Sequence, residues 1–392
     1  MGRRLLSLAT LYPNAAMPRF GTFVARQMEA LAARGNWDVT VINPVGIPPL
    51  AFGRYRKLAA TLGRGEEHGV HVHRIRFTLI PTLARRNPGA IVRAILPLAR
   101  KLHAADPFDL VDAQFFYPDG PVAARIARDL DLPLSIKARG ADIHFWGRHE
   151  WARRAMIEAG AQAGGLLAVS GPLADDMAAL GLARGKITVH YTGLDRGRFH
   201  PLGRDNARLA LAADFEVRVA AQRRLLACVG ALIPRKGQAF AIRALARLPD
   251  AELALVGDGP DRAALKRLAG ELGLDERVHF LGTVDHDQLP IVLSAADAMV
   301  LPSASEGLAN AWVEALACGT PLVICDAGGA REVVRSPSSG RIVERTPEAI
   351  AAALEELLAD PVPPQFVATG AARYSWEANA AALEAYYDGL VA

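Results

Sequence analysis

The chain is poor in cysteine and contains no long apolar run. Its 392 residues include three cysteines, Cys228, Cys318 and Cys325, none of them in a CxxC pair. Isolated thiols of this kind build no disulfide framework, so they predict buried structural thiols and a reducing cytoplasm. No stretch approaches about 18 consecutive apolar residues, so no membrane span is predicted. The short apolar run at residues 5–10 lacks a cleavage site after it and predicts a buried strand rather than a signal peptide.

Acidic residues are scarce in the first half of the chain. Residues 1–200 hold 27 Lys and Arg against 16 Asp and Glu, whereas residues 201–392 hold 18 against 25. An excess of positive charge in one half suggests an anionic partner there. The basic residues are not interleaved with aromatic platforms and no nucleic-acid-binding motif is present, so we expect no nucleic acid. An anionic membrane surface stays a candidate, beside the simpler interpretation of a solvated Arg-rich face.

Short apolar runs alternate with amphipathic stretches of helix length along the whole chain. The predicted strands lie at residues 5–10, 39–42, 110–113, 134–138, 166–170 and 186–190, and then at 225–230, 251–256, 278–281, 298–301 and 321–325. The predicted helices include residues 22–34, 121–130, 238–248, 261–273, 287–295 and 310–318. Such alternation predicts parallel sheets covered on both faces. Two sets of it predict an α/β protein with two doubly wound, Rossmann-like domains.

The break between the two sets gives the domain organisation. We expect a first domain over residues 1–200, a polar linker over 201–224 and a second domain over 225–375. Residues 376–392 predict one further helix, and one option is that this helix crosses back to the first domain. Ligands bind beyond the carboxyl ends of parallel strands, so two facing domains of this kind would enclose a cleft suited to a two-substrate reaction.

An acidic loop follows one predicted strand of the second set. Residues 303–321 have the sequence SASEGLANAWVEALACGTP, with Glu306 in the loop and Glu314 eight residues later in a helix. Amides near a helix start can bind phosphate, and carboxylates can accept hydrogen bonds from sugar or ribose hydroxyls. On spacing alone, the simpler interpretation is that Glu306 caps the helix start and that Glu314 is solvated.

Two further turns follow strands of the second set. The sequence VGALIPRKG at residues 229–237 places Arg235 and Lys236 beyond a predicted strand end. Adjacent cations there suit the charge of a departing diphosphate, although a lone basic turn would be ordinary. The sequence VGDGP at residues 256–260 permits a tight turn. Arg262 occupies the last glycine position of a GxGxxG fingerprint, which disfavours a nicotinamide dehydrogenase.

Together these motifs resemble the retaining family 4 glycosyltransferases. Residues 306–321 are similar to the family signature E-G-x-x-N-x-x-x-E-A-x-A-x-G-x-P, and residues 235–237 resemble its R-K-G element. The resemblance implies a GT-B fold, a nucleotide-diphosphate-sugar donor, and no cofactor or metal. It implies catalytic roles for Glu306, Arg235 and Lys236. The donor-binding residues that it implies are Gly21, Gly230, Arg235, Lys236, Gly257, Thr283, Val284, Glu306, Gly307, Leu308, Ala309, Asn310 and Glu314.

The resemblance also implies separate tasks for these groups. Glu306 is expected at the donor sugar and Glu314 at the ribose, while the amides of residues 307–310 contact phosphate or sugar. Residues 280–284, FLGTV, are expected beside the nucleobase. Gly21 resembles the glycine of an N-terminal loop that lies against the donor.

Two positions near these motifs differ from common patterns. Many members have an arginine directly after the glycine at position 230, where this chain has Ala231, so Arg235 is expected to take over that task. Residues 285–287, Asp-His-Asp, imitate the DxD metal motif of another glycosyltransferase architecture. They precede a predicted helix, so we expect them to cap it instead.

The acceptor side is predicted from weaker signals in the first domain. Asp119 lies in FYPDG, and Asp142 and His144 lie in RGADIH, each after a predicted strand. The family often has H-G-x-D at the second segment, and Arg139 replaces that histidine here. The R-G-x-D-I form resembles a subset typified by teichuronic acid biosynthesis transferases. A structural role for each of these residues stays open.

The expected activity is a retaining transfer of a hexose-type sugar to a saccharide or lipid-linked acceptor, in cell-surface polysaccharide or glycolipid synthesis. A nucleotide-sugar epimerase of the same fold, turning over donor without acceptor, and a non-catalytic nucleotide-sugar-binding protein are the alternatives. A basic, apolar helix at residues 81–103 suits docking on anionic lipid at the inner face of the cell membrane. A core-facing helix with a basic solvent side explains that stretch equally well.

Overall fold

Two parallel β-sheets organise the chain. The structure is a computed structural model that describes residues 2–80 and 83–392. It divides into unit 1, which comprises Met1–Gly193 and Trp376–Ala392, and unit 2, which comprises Leu194–Ser375. Each unit contains one sheet with helices between its strands. The prediction of two doubly wound α/β domains is confirmed.

Unit 1 contains an eight-stranded sheet. Its strands are β1 (Arg3–Leu8), β2 (Trp37–Ile47), β3 (Gly63–Glu67), β4 (Val70–Thr78), β5 (Leu110–Ala113), β6 (Leu134–Ala138), β7 (Gly165–Ala168) and β8 (Ile187–Val189). Their order across the sheet is β3-β4-β2-β1-β5-β6-β7-β8, and all neighbours are parallel except β3 and β4. The strands β5, β6 and β7 are buried along their whole length, as expected for central strands of a parallel sheet.

The helices of unit 1 connect these strands. They are α1 (Thr22–Ala32), α2 (Arg54–Ala59), α3 (Asn87–Ala105), α4 (Asp119–Leu130), α5 (Ala141–His144), α6 (Glu150–Gln162) and α7 (Gly171–Leu180). The apolar stripe of α3, formed by Ile91, Ile95 and Ala99, is buried where the helix packs against α4 and β4. The core-facing interpretation of this helix therefore accounts for its apolar residues. Residues 81 and 82 of the predicted stretch lie outside the described residues.

Unit 2 contains a six-stranded, wholly parallel sheet. Its strands are β9 (Arg224–Val229), β10 (Ala251–Val256), β11 (Val278–Gly282), β12 (Ala298–Leu301), β13 (Leu322–Cys325) and β14 (Gly340–Val343), in the order β11-β10-β9-β12-β13-β14. Its helices are α8 (Arg204–Phe215), α9 (Gln238–Leu245), α10 (Arg262–Glu271), α11 (Leu289–Ala295), α12 (Asn310–Ala317), α13 (Ala330–Val333), α14 (Pro347–Ala359) and α15 (Pro364–Ala368). The order reverses between β9 and β12, which places their carboxyl ends at a topological switch point.

The segment predicted to be a linker, residues 201–224, contains a helix instead. Helix α8 packs against α11, and its buried residues Ala207 and Leu211 are one turn apart. Arg208 donates to the buried carboxylate of Asp297 at 2.7 Å, which ties the helix to the sheet of unit 2. Two buried positions in twelve residues form a narrow stripe, which is why the sequence pattern gave so weak a helix signal.

The last helix, α16 (Trp376–Val391), belongs to unit 1. It packs against α1, and its buried side chains Leu383 and Tyr387 join the core beside the first two strands. The Tyr387 ring meets Trp37 edge to face, with ring centroids 5.7 Å apart. Across residues 2–80 and 83–392, no helix is both long enough and apolar enough to span a membrane.

Candidate functional site

The candidate donor site begins with Glu306, in the loop between β12 and α12. Its carboxylate is buried and lies between two cations, with Lys236 Nζ at 2.6 Å and the Arg235 guanidinium at 3.3 Å. Arg235 also donates to the carbonyl of Ser305. The structure thus joins two segments that are 70 residues apart in sequence. Two cations against one carboxylate leave a net positive charge, which suits a diphosphate.

The turns after β9 and β10 lie directly against each other beside this cluster. Gly230 N–H donates to the carbonyl of Val256 at 2.9 Å, and Gly257 N–H donates to the carbonyl of Gly282 at 2.7 Å. Gly257 has φ 128°, and a Cβ there would overlap the carbonyl oxygen of Gly230. Glycine is therefore required at this position, because only glycine tolerates both the backbone conformation and the close approach.

Three residues that sequence reasoning missed support the Glu306 loop. A Cβ on Gly328 would overlap the Glu306 carbonyl, and Gly329 N–H donates to the carbonyl of Gly307 at 2.7 Å. Arg345 donates to the carbonyls of Pro302 at 2.7 Å and Pro234 at 3.0 Å, so it holds the two segments of the cluster together. The Gly328–Gly329 pair after a predicted strand was the available signal. Nothing in the local sequence marks Arg345.

The second glutamate of the signature, Glu314, is buried in α12 and faces a histidine. His286 Nε2 lies 3.0 Å from Glu314 Oε1, and its Nδ1 lies 3.0 Å from the Arg198 guanidinium. Helix α11 has Gln288 at its N-cap with no side-chain cap bond, and the carbonyl of Asp285 accepts from the amides of Gln288 and Leu289 at 2.9 and 3.0 Å. The predicted capping role of residues 285–287 stays a prediction. Asp287 pairs with Arg198 at 3.1 Å.

The remaining donor-side predictions lie at the same edge of the sheet. Leu308 and Ala309 are nearly buried, and α12 begins at Asn310 without a side-chain cap. Its first amides are therefore available to a ligand oxygen, as at other helix starts. Thr283 and Val284 directly follow β11, next to the turn at Gly257.

In unit 1, Gly21 has φ 76° and precedes α1. A Cβ there would overlap the backbone of Leu11, so glycine lets the loop after β1 pack against the helix start. Asp142 accepts hydrogen bonds from the amides of Phe116, Arg139 and Gly140 at 2.8–3.0 Å, so it organises the loops after β5 and β6. This bonding gives Asp142 a structural role.

The other predicted acceptor-side residues also have partners within unit 1. Arg139 lies over the ring of Phe23 and donates to the Gln114 side chain at 2.6 Å, and desolvation by burial lowers its pKa to about 10. Nη1 of Arg139 is buried and has no hydrogen-bond partner among the described residues. His144 lies nearer the surface, 2.8 Å from Asp176.

A buried polar network that the sequence did not reveal surrounds Arg139. Lys137 Nζ donates to Gln27 at 2.8 Å and lies 2.6 Å from Nδ1 of His190, whose Nε2 meets the carbonyl of Asn379 at 2.9 Å. Burial lowers the pKa of Lys137 well below its usual range and raises that of the nearby Asp112. The network connects Arg139 to α16 through side chains that lie wholly inside unit 1.

Asp119 carries a testable pH dependence. Its carboxylate is buried and accepts from the amide of Thr10 at 3.0 Å, and desolvation raises its pKa to about 7. The pKa of Asp119 is higher in the folded protein than in the unfolded chain. Its contribution to the free energy of unfolding is therefore present at low pH and is lost as the pH rises from about 4 to about 7. Asp119→Asn keeps the bond to Thr10 and cannot ionise. We expect its melting temperature to match wild type near pH 4.5 and to exceed it by several degrees at pH 8.

The matched control for that variant is Asp129→Asn. The pKa of Asp129 is lowered by its hydrogen bond to Arg100, so its contribution has the opposite sign and is lost as the pH falls. Its substitution should lower the melting temperature slightly at pH 8 and leave it unchanged near pH 3. Parallel curves for Asp119→Asn and wild type from pH 4.5 to 8 would contradict the raised pKa.

All three thiols are buried, and desolvation raises their pKa values, to about 12 for Cys228 and Cys318 and about 11 for Cys325. Thiols of this kind are poor nucleophiles and poor metal ligands. Over residues 2–80 and 83–392, no three His, Cys, Asp or Glu residues are grouped closely enough to hold a metal ion.

Comparison with known protein families assigns both units. The model described as "Glycosyltransferase Family 4" matches residues 20–198, and the model described as "Glycosyl transferases group 1" matches residues 212–378. Together the two matches cover most of the chain.

Curated relatives whose names describe glycosyltransferases also match part of the chain. The chain is 38% identical over 178 residues, 41% of its length and 47% of the relative's, to a GDP-mannose-dependent alpha-(1-6)-phosphatidylinositol monomannoside mannosyltransferase of Mycolicibacterium smegmatis. It is 38% identical over 217 residues, 53% of its length and 48% of the relative's, to a D-inositol 3-phosphate glycosyltransferase of Mycolicibacterium gilvum. The matched region thus spans about half the length of these relatives.

Two solved structures match nearly the entire chain. Anabaena HepE in complex with UDP has a TM-score of 0.75 at 22% identity, covering 99% of this chain and 100% of that one. The sucrose-phosphate synthase of Thermosynechococcus elongatus has a TM-score of 0.77 at 21% identity, covering 99% of both chains. At these identities the likeness shows a shared fold of two parallel-sheet domains.

Proposed function

We propose that this chain, which has the two domains of the family 4 glycosyltransferases and a GT-B fold, is a retaining sugar transferase. It transfers a hexose-type sugar from a nucleotide-diphosphate sugar to an acceptor hydroxyl with retention of configuration. The observation that carries the proposal is the buried Glu306 carboxylate held between Lys236 and Arg235. This cluster lies at the topological switch point of the unit 2 sheet, where ligands bind in folds of this class.

The two cations stabilise the leaving group. As the bond from the sugar to the diphosphate breaks, negative charge grows on the phosphate oxygen, and Lys236 and Arg235 lie where they can neutralise it. The uncapped amides at the start of α12 contribute further donors. Because fixed cations already supply this charge, we propose that the transfer requires no metal. Undiminished transfer in the presence of EDTA is the expected result.

The glutamates orient the donor. Glu306 accepts hydrogen bonds from sugar hydroxyls once Lys236 turns toward the phosphates, and Glu314 accepts from the ribose diol. Neither carboxylate is assigned as a covalent nucleophile, so we propose a front-face displacement in which the departing phosphate receives the acceptor proton. An inverted anomer in the product, observed by NMR, would overturn retention.

The donor and acceptor are proposed from the relatives. One relative uses GDP-mannose and acts on a phosphatidylinositol mannoside, and HepE structures contain UDP and glucose or UDP-glucose. We propose a GDP- or UDP-hexose donor and a saccharide or lipid-linked acceptor of cell-surface polysaccharide or glycolipid synthesis. The R-G-x-D-I sequence beginning at Arg139 supports a place near the teichuronic acid-type subset. We place the enzyme in the cytoplasm, peripheral at the inner face of the cell membrane.

A thermal-shift panel of GDP-mannose, UDP-glucose and related nucleotide sugars tests donor binding. A true donor at 100 times its Kd stabilises the fold by about 2.7 kcal/mol, which raises the melting temperature by several degrees. Glu306→Gln should lose most of that shift and reduce transfer by about 100-fold, because a neutral amide cannot pair with Lys236 and accepts fewer bonds. Glu271→Gln, an exposed acid at the end of α10, is the matched control and should behave as wild type.

The panel also separates the proposal from its alternatives. Donor turnover without any acceptor would indicate an epimerase. A donor-induced shift with no transfer, and no effect of Glu306→Gln on the shift, would indicate a binding protein. No shift with any nucleotide sugar would contradict the proposed donor class.

A further inference from the structure

The sequence Asp-His-Asp at residues 285–287 follows β11, and its histidine contacts the candidate donor site. Nε2 of His286 lies 3.0 Å from Oε1 of Glu314, the glutamate proposed to bind the ribose diol. Glu314 is buried in α12, whereas the His286 side chain is 54% exposed on the turn before α11. The contact occupies one carboxylate oxygen of Glu314, and the other, Oε2, takes no part in it. His286 therefore lies where it can fix how Glu314 meets a ligand.

Two further side chains hold the imidazole of His286 in place. Nη1 of Arg198 lies 3.0 Å from Nδ1 of the ring. The ring of Phe199 packs against the imidazole with centroids 4.9 Å apart, and Phe199 itself is only 1% exposed. Contacts at both ring nitrogens and on one face fix the orientation of a side chain that would otherwise rotate in solvent.

Arg198 is anchored in turn by two aspartates. Its Nη2 pairs with Asp287 at 3.1 Å, and its Nε lies 3.9 Å from Asp195. The amide of Arg198 also donates to the Asp195 side chain at 3.1 Å, which closes a turn over residues 195–198. The charge of Arg198 is thus balanced by carboxylates other than Glu314. Every member of this group belongs to unit 2, as the donor cluster does.

The chemistry of these partners determines which nitrogen of His286 carries the proton. A guanidinium only donates hydrogen bonds, so Nδ1 of His286 accepts from Arg198. The proton of the neutral ring is then on Nε2, which donates to the carboxylate of Glu314. Arg198, His286 and Glu314 therefore form a chain of hydrogen bonds that runs in one direction and ends at the carboxylate.

We propose that His286 is a positioning residue that orients Glu314 toward the ribose and thereby sets a preference for ribonucleotide over 2′-deoxyribonucleotide donors. With Oε1 held by His286, the plane of the carboxylate is fixed and Oε2 is presented to the ribose hydroxyls. A carboxylate without this bond loses rotational freedom when the ligand binds, which weakens binding. The inference rests on the proposed function in one respect, which is that Glu314 binds the ribose.

Calorimetric titration of the full chain with nucleoside diphosphates tests this role. The probes are GDP, UDP and their 2′-deoxy counterparts. Wild type should bind the ribose form of its nucleotide about 10- to 100-fold more tightly than the deoxy form, as expected for hydrogen bonds to a charged group. His286→Leu removes the bond to Glu314 and should lower this preference by about 10-fold. His286→Gln, whose amide nitrogen can take the place of Nε2, should restore most of it.

Steady-state kinetics separates positioning from folding. The ribose contact is made equally in the ground state and the transition state, so its loss weakens donor binding without slowing the chemical step. His286→Leu should therefore raise the donor KM by about 10-fold and leave kcat within about threefold of wild type. A variant that merely folds poorly would lose kcat in proportion to the inactive protein and keep its KM.

The matched control is His279→Leu, which breaks a second histidine–glutamate pair of unit 2. Nε2 of His279 lies 2.8 Å from Oε2 of Glu252, which is also buried. This pair joins β10 and β11 near their amino ends, away from the edge where the turns after these strands lie. The control should lose about as much stability as His286→Leu but keep the wild-type ribose preference and donor KM. An equal loss of preference in both variants would overturn the specific role of His286.

Nitrogen-15 NMR of protein labelled at histidine reads the proton position directly. The signals of His286 are identified by their absence from the spectrum of His286→Gln. We expect a protonated Nε2 and an unprotonated Nδ1 in the protein without ligand, because Arg198 donates to Nδ1. A neutral His286 with its proton on Nδ1 would overturn the proposal, since the ring could then not donate to Glu314.

The titrations also distinguish failure of this inference from failure of the proposed function. Nucleotide binding with no preference for the ribose form overturns the role of His286 and leaves the proposed donor class intact. A His286→Leu protein that keeps the wild-type preference does the same. Binding of no nucleoside diphosphate contradicts the proposed donor class and this inference with it.

Discussion

Replacing Lys236 with alanine is expected to lower kcat by about 100- to 1,000-fold, the range found when one preorganised donor to a developing anion is removed. Its Nζ contacts Glu306 at 2.6 Å, and the side chain is mostly buried beside the strand that ends before Gly230. The ammonium therefore lies beside the proposed phosphate position and needs only to turn from Glu306 to reach the leaving group. Steady-state transfer assays, with donor and acceptor both varied, measure the loss.

The readouts for Lys236→Ala must distinguish chemistry from folding. Arg235 still pairs with Glu306 in the variant, so we expect the melting temperature without donor to change little. Lys236→Arg should recover part of the activity, because it restores charge but not the compact geometry of the ammonium. Arg243→Ala, which removes an exposed cation from α9, is the matched control. A Lys236→Ala enzyme with kcat within threefold of wild type would remove this residue from the mechanism.

The fold and the donor cluster were largely predictable from sequence. Buried parallel strands are short apolar runs, and alternation with helices leaves few topologies to consider. Once β9 and β12 are assigned, their carboxyl ends must lie at one edge, which brings residues 234–237 near residues 303–310 despite their separation in sequence. The contact between Lys236 and Glu306 follows from that placement together with the motifs.

Other features depended on packing that no local pattern encodes. His286 contacts Glu314 because the turn after β11 and helix α12 meet in three dimensions, and Arg345 reaches two loops from beyond β14. The strand β3 has no buried alternation, since its residues GRGEE are mostly exposed and it forms by pairing with β4. The polar network around Lys137 is likewise invisible in sequence, where a lysine in an apolar strand gives no indication of its partners.

Among substitutions that leave every charged group in place, Gly328→Ala is expected to disturb the donor cluster most. Gly328 has φ 51°, and a Cβ there would overlap the carbonyl oxygens of Glu306 and Gly307. The left-handed conformation costs a non-glycine residue about 1–2 kcal/mol, and the overlap adds about 1–3 kcal/mol by forcing the loop to move. We expect a melting temperature lower by about 5–15 °C and no donor-induced shift, because the displaced loop carries Glu306.

The control for Gly328→Ala separates backbone strain from displacement of the loop. Gly273 has φ 66°, close to that of Gly328, yet a Cβ there would meet nothing within 4 Å. Gly273→Ala should therefore lose only about 1–2 kcal/mol and keep its full donor-induced shift and transfer rate. The difference between the two variants isolates the contact between the Gly328 turn and the Glu306 loop. Equal losses of stability, with the donor shift preserved in both, would show that this turn does not position Glu306.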